Sequence, residues 1–367
     1  MRLITSSLLV LGFFFNHLQA QQITNPFRPA AQNAFADAQS STRPASYEAF
    51  QVDFPAVDLA LRQAPKEGTD KGLQLELPVV GGKVLAFAIW QIDIMHPELG
   101  ARYPEIRTYT GEALDGSGRM VRITTSPLGF QALFTRPDGA TEFLEPWAQG
   151  TTNACILFKD QQLGQNNAPQ AGFCGVDDHD AALEASHHTG QAANPRNGSA
   201  AVPLRIYRFA VSTTGEYTQD LGGTVALSLA SIVDKVNKIN VPIERDLSLR
   251  LQLIANNDKI IYTDGAIDPF TGANPPIWLS ENVLALNGTI GFGNYDLGHV
   301  IGRGTGSGVL GIASLSSACA SNKGSGASSD VAANYNTRMV GTFAHEVGHQ
   351  LSGTHTYNYC PPNDVTS

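Results

Sequence analysis

The stretch from His345 to His355 restricts what this chain can fold into more than any other feature of the sequence. It has the sequence HEVGHQLSGTH. His345 and His349 are four residues apart, so on a helix both imidazoles point to the same face. Two neutral imidazoles on one helix face can bind one zinc ion. Glu346 lies one step round the helix, where it can reach a metal-bound water without being a ligand, which suits a general base.

A third histidine follows the predicted helix. Gly353 comes after the helical stretch, and we expect it to end the helix because glycine accepts a left-handed backbone. The chain can then turn back and bring His355 to the metal. Three histidines leave a fourth position for water, which is typical of a catalytic rather than a structural zinc site. The competing interpretation is a surface helix with coincidental histidines, but only 9 of the 367 residues are histidine, so a chance match is rare.

The motif lies at the end of a region in which helix and strand patterns alternate. Apolar residues recur at helical spacing over 224–240 and 338–351, which predicts two amphipathic helices. Strands are predicted at 204–213, 247–253, 296–300 and 309–315. Residues 316–330 are dense in glycine and serine, and we expect a flexible loop there. Helices mixed with strands predict an α/β (α+β) domain from residue 203 onward.

The first half of the chain has shorter apolar runs, separated by Gly, Pro and Asp at turn positions. Strands are predicted at 73–77, 83–90, 120–124 and 130–134. This pattern predicts a β-rich domain from about residue 49. Apolar residues make up 42% of the chain and charged residues 16%, which excludes a wholly disordered protein. The net charge of −9 gives no basic surface of the kind that binds nucleic acid.

The N-terminus has the layout of a secretory signal peptide. Met1 and Arg2 precede an apolar run at 8–15 that is too short to span a bilayer, and we expect cleavage after Ala20. The alternative is a buried N-terminal helix. Residues 21–45 indicate a flexible leader, and 175–202 indicate an exposed linker, which is where proteases cut. No other run approaches the length of a membrane span, so we expect a secreted protein, either extracellular or periplasmic.

Residues 345–355 resemble the zinc-binding pattern of the metzincin peptidases, His-Glu-x-x-His-x-x-Gly-x-x-His. The three histidines and the glutamate match, and Ser352 stands where the pattern has glycine. Other segments are similar to the reprolysin-like (M12B-type) catalytic domain of secreted bacterial peptidases and to its propeptide. The catalytic segments are 207–218, 243–258, 295–300 and 311–315, and the propeptide segments are 96–106 and 126–130.

The resemblance implies a metzincin-like catalytic domain with a mixed twisted sheet and an active-site helix. This domain would occupy 203–367, after a signal peptide at 1–20, a β-rich propeptide at 21–174 and a linker at 175–202. It would be a latent zinc endopeptidase that cleaves a protein or peptide substrate and is inhibited by its own propeptide. Glu346 would take a proton from the zinc-bound water. The implied ligands of Zn²⁺ are His345, His349 and His355. The implied substrate-binding edge strand contains Gly311, Ile312 and Ala313.

Four cysteines fit an oxidising compartment. Cys174 is followed by Gly175 and Val176, similar to the segment whose thiolate blocks the zinc in reprolysin-type proenzymes. The alternative is a disulfide between Cys155 and Cys174. Cys319 and Cys360 could pair with each other, or a cysteine beyond Ser367 could be the partner.

Metzincins also place a methionine-containing turn after the third histidine. No methionine follows His355 in this sequence, and the C-terminal lobe of the family is missing as well. The sequence therefore looks truncated after the zinc-binding motif. This leaves an alternative from another class of protein, a non-catalytic exported protein that binds metal or a partner.

Overall fold

Two β-sheets dominate the computed structural model of the chain. The structure describes residues 25–31, 35, 44, 46–69, 71–160, 173–175, 203–304, 307–330 and 337–355. The predicted signal peptide and almost all of the predicted linker lie outside these residues. Within them, no helix combines the length and the apolar character that crossing a bilayer requires.

The first sheet has nine antiparallel strands in the order β1-β2-β9-β8-β7-β6-β5-β4-β3. The strands are β1 (Phe27–Ala30), β2 (Glu48–Val52), β3 (Leu73–Val79), β4 (Lys83–Ile92), β5 (Arg107–Ala113), β6 (Met120–Ser126), β7 (Gly129–Thr135), β8 (Thr141–Pro146) and β9 (Ala154–Lys159). Two short helices, α1 (Phe54–Leu61) and α2 (Pro97–Arg102), lie between strands. The predicted β-rich first half is therefore confirmed.

One part of the predicted flexible leader is ordered. β1 falls inside residues 21–45, and it pairs with β2 at the edge of the first sheet. Phe27 explains this pairing because its side chain is buried and its ring centroid lies 5.0 Å from that of Phe130. A single buried aromatic residue leaves no periodic signal in the sequence.

The second sheet is mixed, with the order β10-β14-β15-β13-β11-β12. Its strands are β10 (Phe173–Cys174), β11 (Arg205–Thr213), β12 (Leu249–Leu253), β13 (Leu297–Arg303), β14 (Val309–Ala313) and β15 (Gly326–Asp330). β11, β12, β13 and β15 run parallel to one another, whereas β14 is antiparallel to β15. The helices are α3 (Gly215–Asp220), α4 (Val225–Leu247), α5 (Pro275–Thr289) and α6 (Thr337–Gln350), with 3₁₀ turns at Asn257–Ile260 and Phe292–Asn294. This arrangement confirms the predicted α/β (α+β) class.

Two predictions for this region are wrong. Residues 326–330 are not part of a flexible loop, because they form the fully buried strand β15 between β14 and β13. The strand has the sequence GASSD, and its residues are small because helix α6 packs close to it. Leu247 is not in a strand, since it ends helix α4, and Ser248 caps that helix with a left-handed φ of 52°. Helix α5 was not predicted, although Trp278, Asn282 and Leu286 form its buried face.

The two halves of the chain share one apolar core. Ile94, Met95 and Leu99 from the first half are buried in the same cluster as Leu251 and Leu253 of β12. Backbone bonds reinforce this contact, since Leu253 N donates to Ile94 O (2.8 Å) and His96 N donates to Leu253 O (2.8 Å). The first sheet is therefore packed against the second part of the chain and not merely tethered to it.

Buried charged groups add a second contact between the halves. Lys238 of α4 donates to Asp234 one turn earlier (2.7 Å) and to Glu145 of β8 (2.5 Å). Gln131 of β7 donates from Nε2 to Glu145 (3.1 Å) and to Asp234 (2.9 Å). Arg122 of β6 pairs with Glu244 of α4 (2.5 Å). The division of the chain into propeptide, linker and catalytic domain stays a prediction.

Candidate metal centre

Helix α6 places the residues of the motif in two different environments. Met339, Phe343 and Val347 are buried in the apolar core, which fixes the rotation of the helix about its axis. As a result Glu346 is only 1% exposed and His349 only 3% exposed, while His345 is exposed at the helix surface. The Nε2 atoms of His345 and His349 lie 3.0 Å apart.

The turn after α6 brings the third histidine back to the first two. Gly353 N donates to Gly348 O (2.8 Å). The left-handed residue of this turn is Ser352, with a φ of 79°, and not Gly353 as predicted. Ser352 is the position at which the metzincin pattern has glycine, so the local backbone keeps the shape that the pattern requires. His355 Nε2 then lies 3.1 Å from His345 Nε2.

A backbone contact fixes how the His349 ring is protonated. His349 Nδ1 lies 2.7 Å from the carbonyl oxygen of Gly353. A carbonyl oxygen only accepts hydrogen bonds, so Nδ1 carries a proton, and in the neutral ring Nε2 then presents a lone pair to the cluster. This is the protonation state that a metal-binding imidazole needs.

The cluster fits a tetrahedral metal ion. Four ligand atoms, from Cys174, His345, His349 and His355, lie within 4.8 Å of one another. Zinc bound to imidazole nitrogens at about 2.0–2.1 Å holds those nitrogens roughly 3.3 Å apart. The observed Nε2 separations of 3.0 and 3.1 Å approach that value. Three imidazoles and a thiol are also the donor types that zinc prefers.

Cys174 reaches the cluster from the first half of the chain, through strand β10. β10 runs parallel to β14 with Cys174 opposite Gly311, and Gly175 N donates to Gly311 O (2.9 Å). The Cys174 Sγ atom lies 3.5 Å from His349 Nε2 and 3.8 Å from Glu346 Oε2. Strand β14 contains the predicted substrate strand of Gly311, Ile312 and Ala313, and β10 now pairs with its outer edge.

Glu346 lies beside the histidines with its carboxyl group shielded from water. Burial raises its pKa to about 8, and the contact with Cys174 partly opposes this shift. Because the carboxyl group lies 3.8 Å from Cys174 Sγ, one of the four cluster atoms, and is turned toward β14, it can exchange a proton with a group at the cluster. Glu346 itself is not among the four candidate metal ligands, which are Cys174, His345, His349 and His355.

Sequence reasoning missed Gln350, which holds the end of α6 in place. Gln350 donates from Nε2 to Gly298 O (2.9 Å) and to Ser317 Oγ (3.3 Å), and its Oε1 lies 3.0 Å from His299 Nδ1. His299 is a satisfied core histidine outside the metal cluster, since its Nε2 lies 2.9 Å from Ser328 Oγ. The helical period of the sequence places Gln350 on the buried face of α6, and this pattern could have indicated that Gln350 has a structural role.

The structure does not contain the alternative disulfide between Cys155 and Cys174. The Cys155 thiol is buried in the first sheet, 3.7 Å from the carbonyl oxygen of Phe130, whereas Cys174 lies at the histidine cluster. Burial raises the pKa of Cys155. Cys319 is exposed, and its predicted partner Cys360 lies outside the described residues.

Comparisons with known proteins define the class of this domain. Residues 229–356 match the model of the family described as "Metallo-peptidase family M12B Reprolysin-like". This stretch begins inside α4 and ends just after His355, so it contains the whole cluster apart from Cys174. Residues 229–356 therefore match a reprolysin-like domain of a metallopeptidase family, which confirms the resemblance seen in the sequence.

Two solved structures are similar to the chain at low TM-scores. One is described as "Structure of a chaperone-substrate complex"; it is 13% identical at a TM-score of 0.32, and the match covers 64% of this chain and 28% of that one. The other is metalloproteinase-II from Bacteroides fragilis, which is 14% identical at a TM-score of 0.40, with 80% of this chain and 87% of that chain covered. Similarities this weak support no inference about function. No curated protein matches the sequence.

Proposed function

We propose that this chain is a secreted, zinc-dependent endopeptidase that is made as a latent proenzyme. The observation that carries the proposal is the convergence of three histidine Nε2 atoms beside one buried carboxyl group. His345, His349 and His355 supply the nitrogens, and Glu346 supplies the carboxyl group. The layout of the N-terminal sequence is the support for secretion.

In the proposed reaction, zinc would supply two things when bound, a polarised scissile carbonyl and a water whose pKa is lowered toward about 7. His345, His349 and His355 would hold the ion, and the Gly353 carbonyl would keep the His349 ring oriented. The Glu346 carboxylate accepts the proton of the attacking water as the new carbon–oxygen bond forms. It then returns that proton to the leaving amine as the carbon–nitrogen bond breaks.

The substrate would lie extended along β14. An edge strand can pair with a peptide through backbone hydrogen bonds, and β10 already makes such bonds with Gly311. β10 would therefore occupy the place of the substrate in the latent form, with the Cys174 thiolate in the fourth position on the metal. This is the support for inhibition by the chain's own propeptide.

The catalytic role of Glu346 is tested with Glu346→Ala, after limited proteolysis of residues 176–202 and separation of the N-terminal fragment, which carries β10 and Cys174. Loss of a general base should lower peptide cleavage by about 10²–10⁴-fold, while zinc content stays at the wild-type level. Glu216→Gln, at an exposed position of α3, is the matched control and should cleave normally. Full cleavage by Glu346→Ala would overturn the mechanism. Zinc binding without cleavage by the wild-type protein would favour the non-catalytic alternative.

Latency is tested separately with Cys174→Ala in the uncut chain. Removing the thiol opens one position at the cluster, so the uncut variant should cleave a peptide that the uncut wild type does not. Cys319→Ala, which replaces an exposed cysteine in the second half, should remain as inactive as the wild type. If Cys174→Ala is equally inactive, the thiol does not maintain latency.

A further inference from the structure

Gly311 of β14 lies directly against the side chain of Glu346. A Cβ atom built on Gly311 would stand 2.5 Å from Glu346 Oε1, 2.6 Å from Cγ and 2.8 Å from Cδ. Real Cβ atoms essentially never come within 3.0 Å of a heavy atom outside their own residue and its two chain neighbours. Glu346 is also only 1% exposed, so its side chain has little open space into which it could turn.

The backbone conformation does not explain a glycine at this position. Gly311 is absent from the glycines with a positive φ, whereas Gly308, just before the same strand, has a φ of 72° and open space around it. The positive φ therefore explains the glycine at position 308. The close contact with the Glu346 side chain explains the glycine at position 311. The Glu346 carboxyl group occupies the space that a side chain at position 311 would need.

We infer that Gly311 is a positioning residue for Glu346, an inference that rests on the proposed function. Its carbonyl oxygen accepts a hydrogen bond from Gly175 N (2.9 Å), so the residue that abuts Glu346 is also bonded to the neighbouring extended strand. A peptide that takes the place of β10 would lie against the same residue. Gly311 therefore fixes the distance between the peptide backbone and the proton acceptor.

The inference predicts a specific pattern for Gly311→Ala. The added methyl group forces the Glu346 side chain away from β14, and a displacement of about 1 Å can lower a rate by about 10²-fold. We expect kcat for a short peptide to fall by about that factor, with KM and zinc content within about twofold of the wild type. Gly341→Ala, on the exposed surface of α6 with nothing within 4 Å of its new Cβ, is the control and should keep the wild-type kcat.

A double-mutant cycle with Glu346→Ala tests the contact without using activity. The clashing atoms all lie beyond the Cβ of Glu346, so Glu346→Ala removes them. In urea unfolding of the metal-free protein, Gly311→Ala should lower the midpoint in the wild-type background and leave it unchanged in the Glu346→Ala background. In activity, the double variant should be no worse than Glu346→Ala alone.

The possible outcomes separate this inference from the proposed function. If Gly311→Ala changes KM and leaves kcat unchanged, Gly311 only binds the peptide and the inference is wrong. An equal shift of the urea midpoint in both backgrounds would also overturn it, because the effect would not pass through Glu346. If instead Glu346→Ala cleaves normally while the urea cycle shows coupling, the contact stands and the proposed mechanism fails.

Discussion

At the residue scale, Ser352 shows how the site keeps its geometry with a departure from the family pattern. Its φ of 79° is a left-handed value, which glycine adopts freely and other residues adopt at a cost. The turn itself is required because it returns the chain to bring His355 within 3.1 Å of His345. Serine at this position therefore strains a turn on which one candidate ligand depends.

Ser352→Gly should relieve this strain. We expect the free energy of unfolding to rise by about 1 kcal/mol, because a non-glycine residue pays roughly that amount in the left-handed region. Urea denaturation of the metal-free protein measures the change. Ser314→Gly is the control, since the φ of Ser314 is not among the positive values, and glycine there should lower stability. A loss of stability in Ser352→Gly would show that the serine hydroxyl matters more than the backbone.

His299 gives the protein a dependence of stability on pH. Burial lowers the pKa of His299 to about 4, while histidine in an unfolded chain titrates near 6.5. Below about pH 6.5 the unfolded chain therefore binds a proton that the folded chain does not yet bind. The buried, neutral His299 therefore contributes to the free energy of unfolding, by at most about 3 kcal/mol. This contribution is fully present above pH 6.5 and is lost as the pH falls toward 4.

His299→Gln tests this contribution, because glutamine keeps polar atoms near Ser328 and Gln350 but does not titrate. Urea unfolding at about pH 7 and about pH 5 gives the loss of stability for each protein. Between about pH 7 and about pH 5, the free energy of unfolding of the wild type should fall by more than that of His299→Gln. Equal losses would assign the pH dependence to other groups.

At the scale of elements, regular apolar patterns could be predicted and the rest could not. Helix α6 follows from its apolar period, and β12 from alternating leucines. Strand β15 is buried and carries small, mostly polar residues. At Gly326 a Cβ atom would already collide with Gln350 and His299, and that requirement is tertiary. The histidine spacing is local and was predictable. The position of Cys174 beside His349 joins distant parts of the chain, so only the family resemblance pointed to it.

Gly326, the first residue of β15, should not tolerate a side chain. A Cβ atom there would collide with Gln350 and His299, which anchor the end of α6. Gly326→Ala should therefore lower the free energy of unfolding by about 1–3 kcal/mol, the usual cost of overpacking a core, and weaken zinc binding. Urea unfolding and zinc titration measure the two effects.

Gly288→Ala on α5, where nothing lies within 4 Å of the new Cβ atom, is the control and should be neutral or stabilising. Wild-type stability and zinc affinity in Gly326→Ala would contradict this account of β15.

At the scale of the whole molecule, the packing of the two halves has a consequence for cleavage of the linker. The halves share an apolar core and a buried cluster around Lys238. Separating them would expose both to water. A cut in the segment 176–202 removes the covalent connection and none of these contacts.

We therefore expect the two fragments to stay together after such a cut and to elute as one species in size-exclusion chromatography. Lys238→Ala should weaken the association, because it leaves Glu145 and Asp234 as buried carboxyl groups without their cation. The exposed Lys83→Ala on β4 is the control and should not affect it. Separation of the wild-type fragments at micromolar concentration would show that the shared core is too small to hold them.

Strand β10 also affects the tendency of the protein to self-associate, because it lies at the end of the second sheet. While it is paired, it covers the outer backbone of β14. Once it leaves, β14 becomes the outermost strand, and such an open edge can join any extended chain, including the same edge of a second molecule. In the proposed function, the step that admits substrate would therefore also expose an edge that can associate, which would couple solubility to maturation.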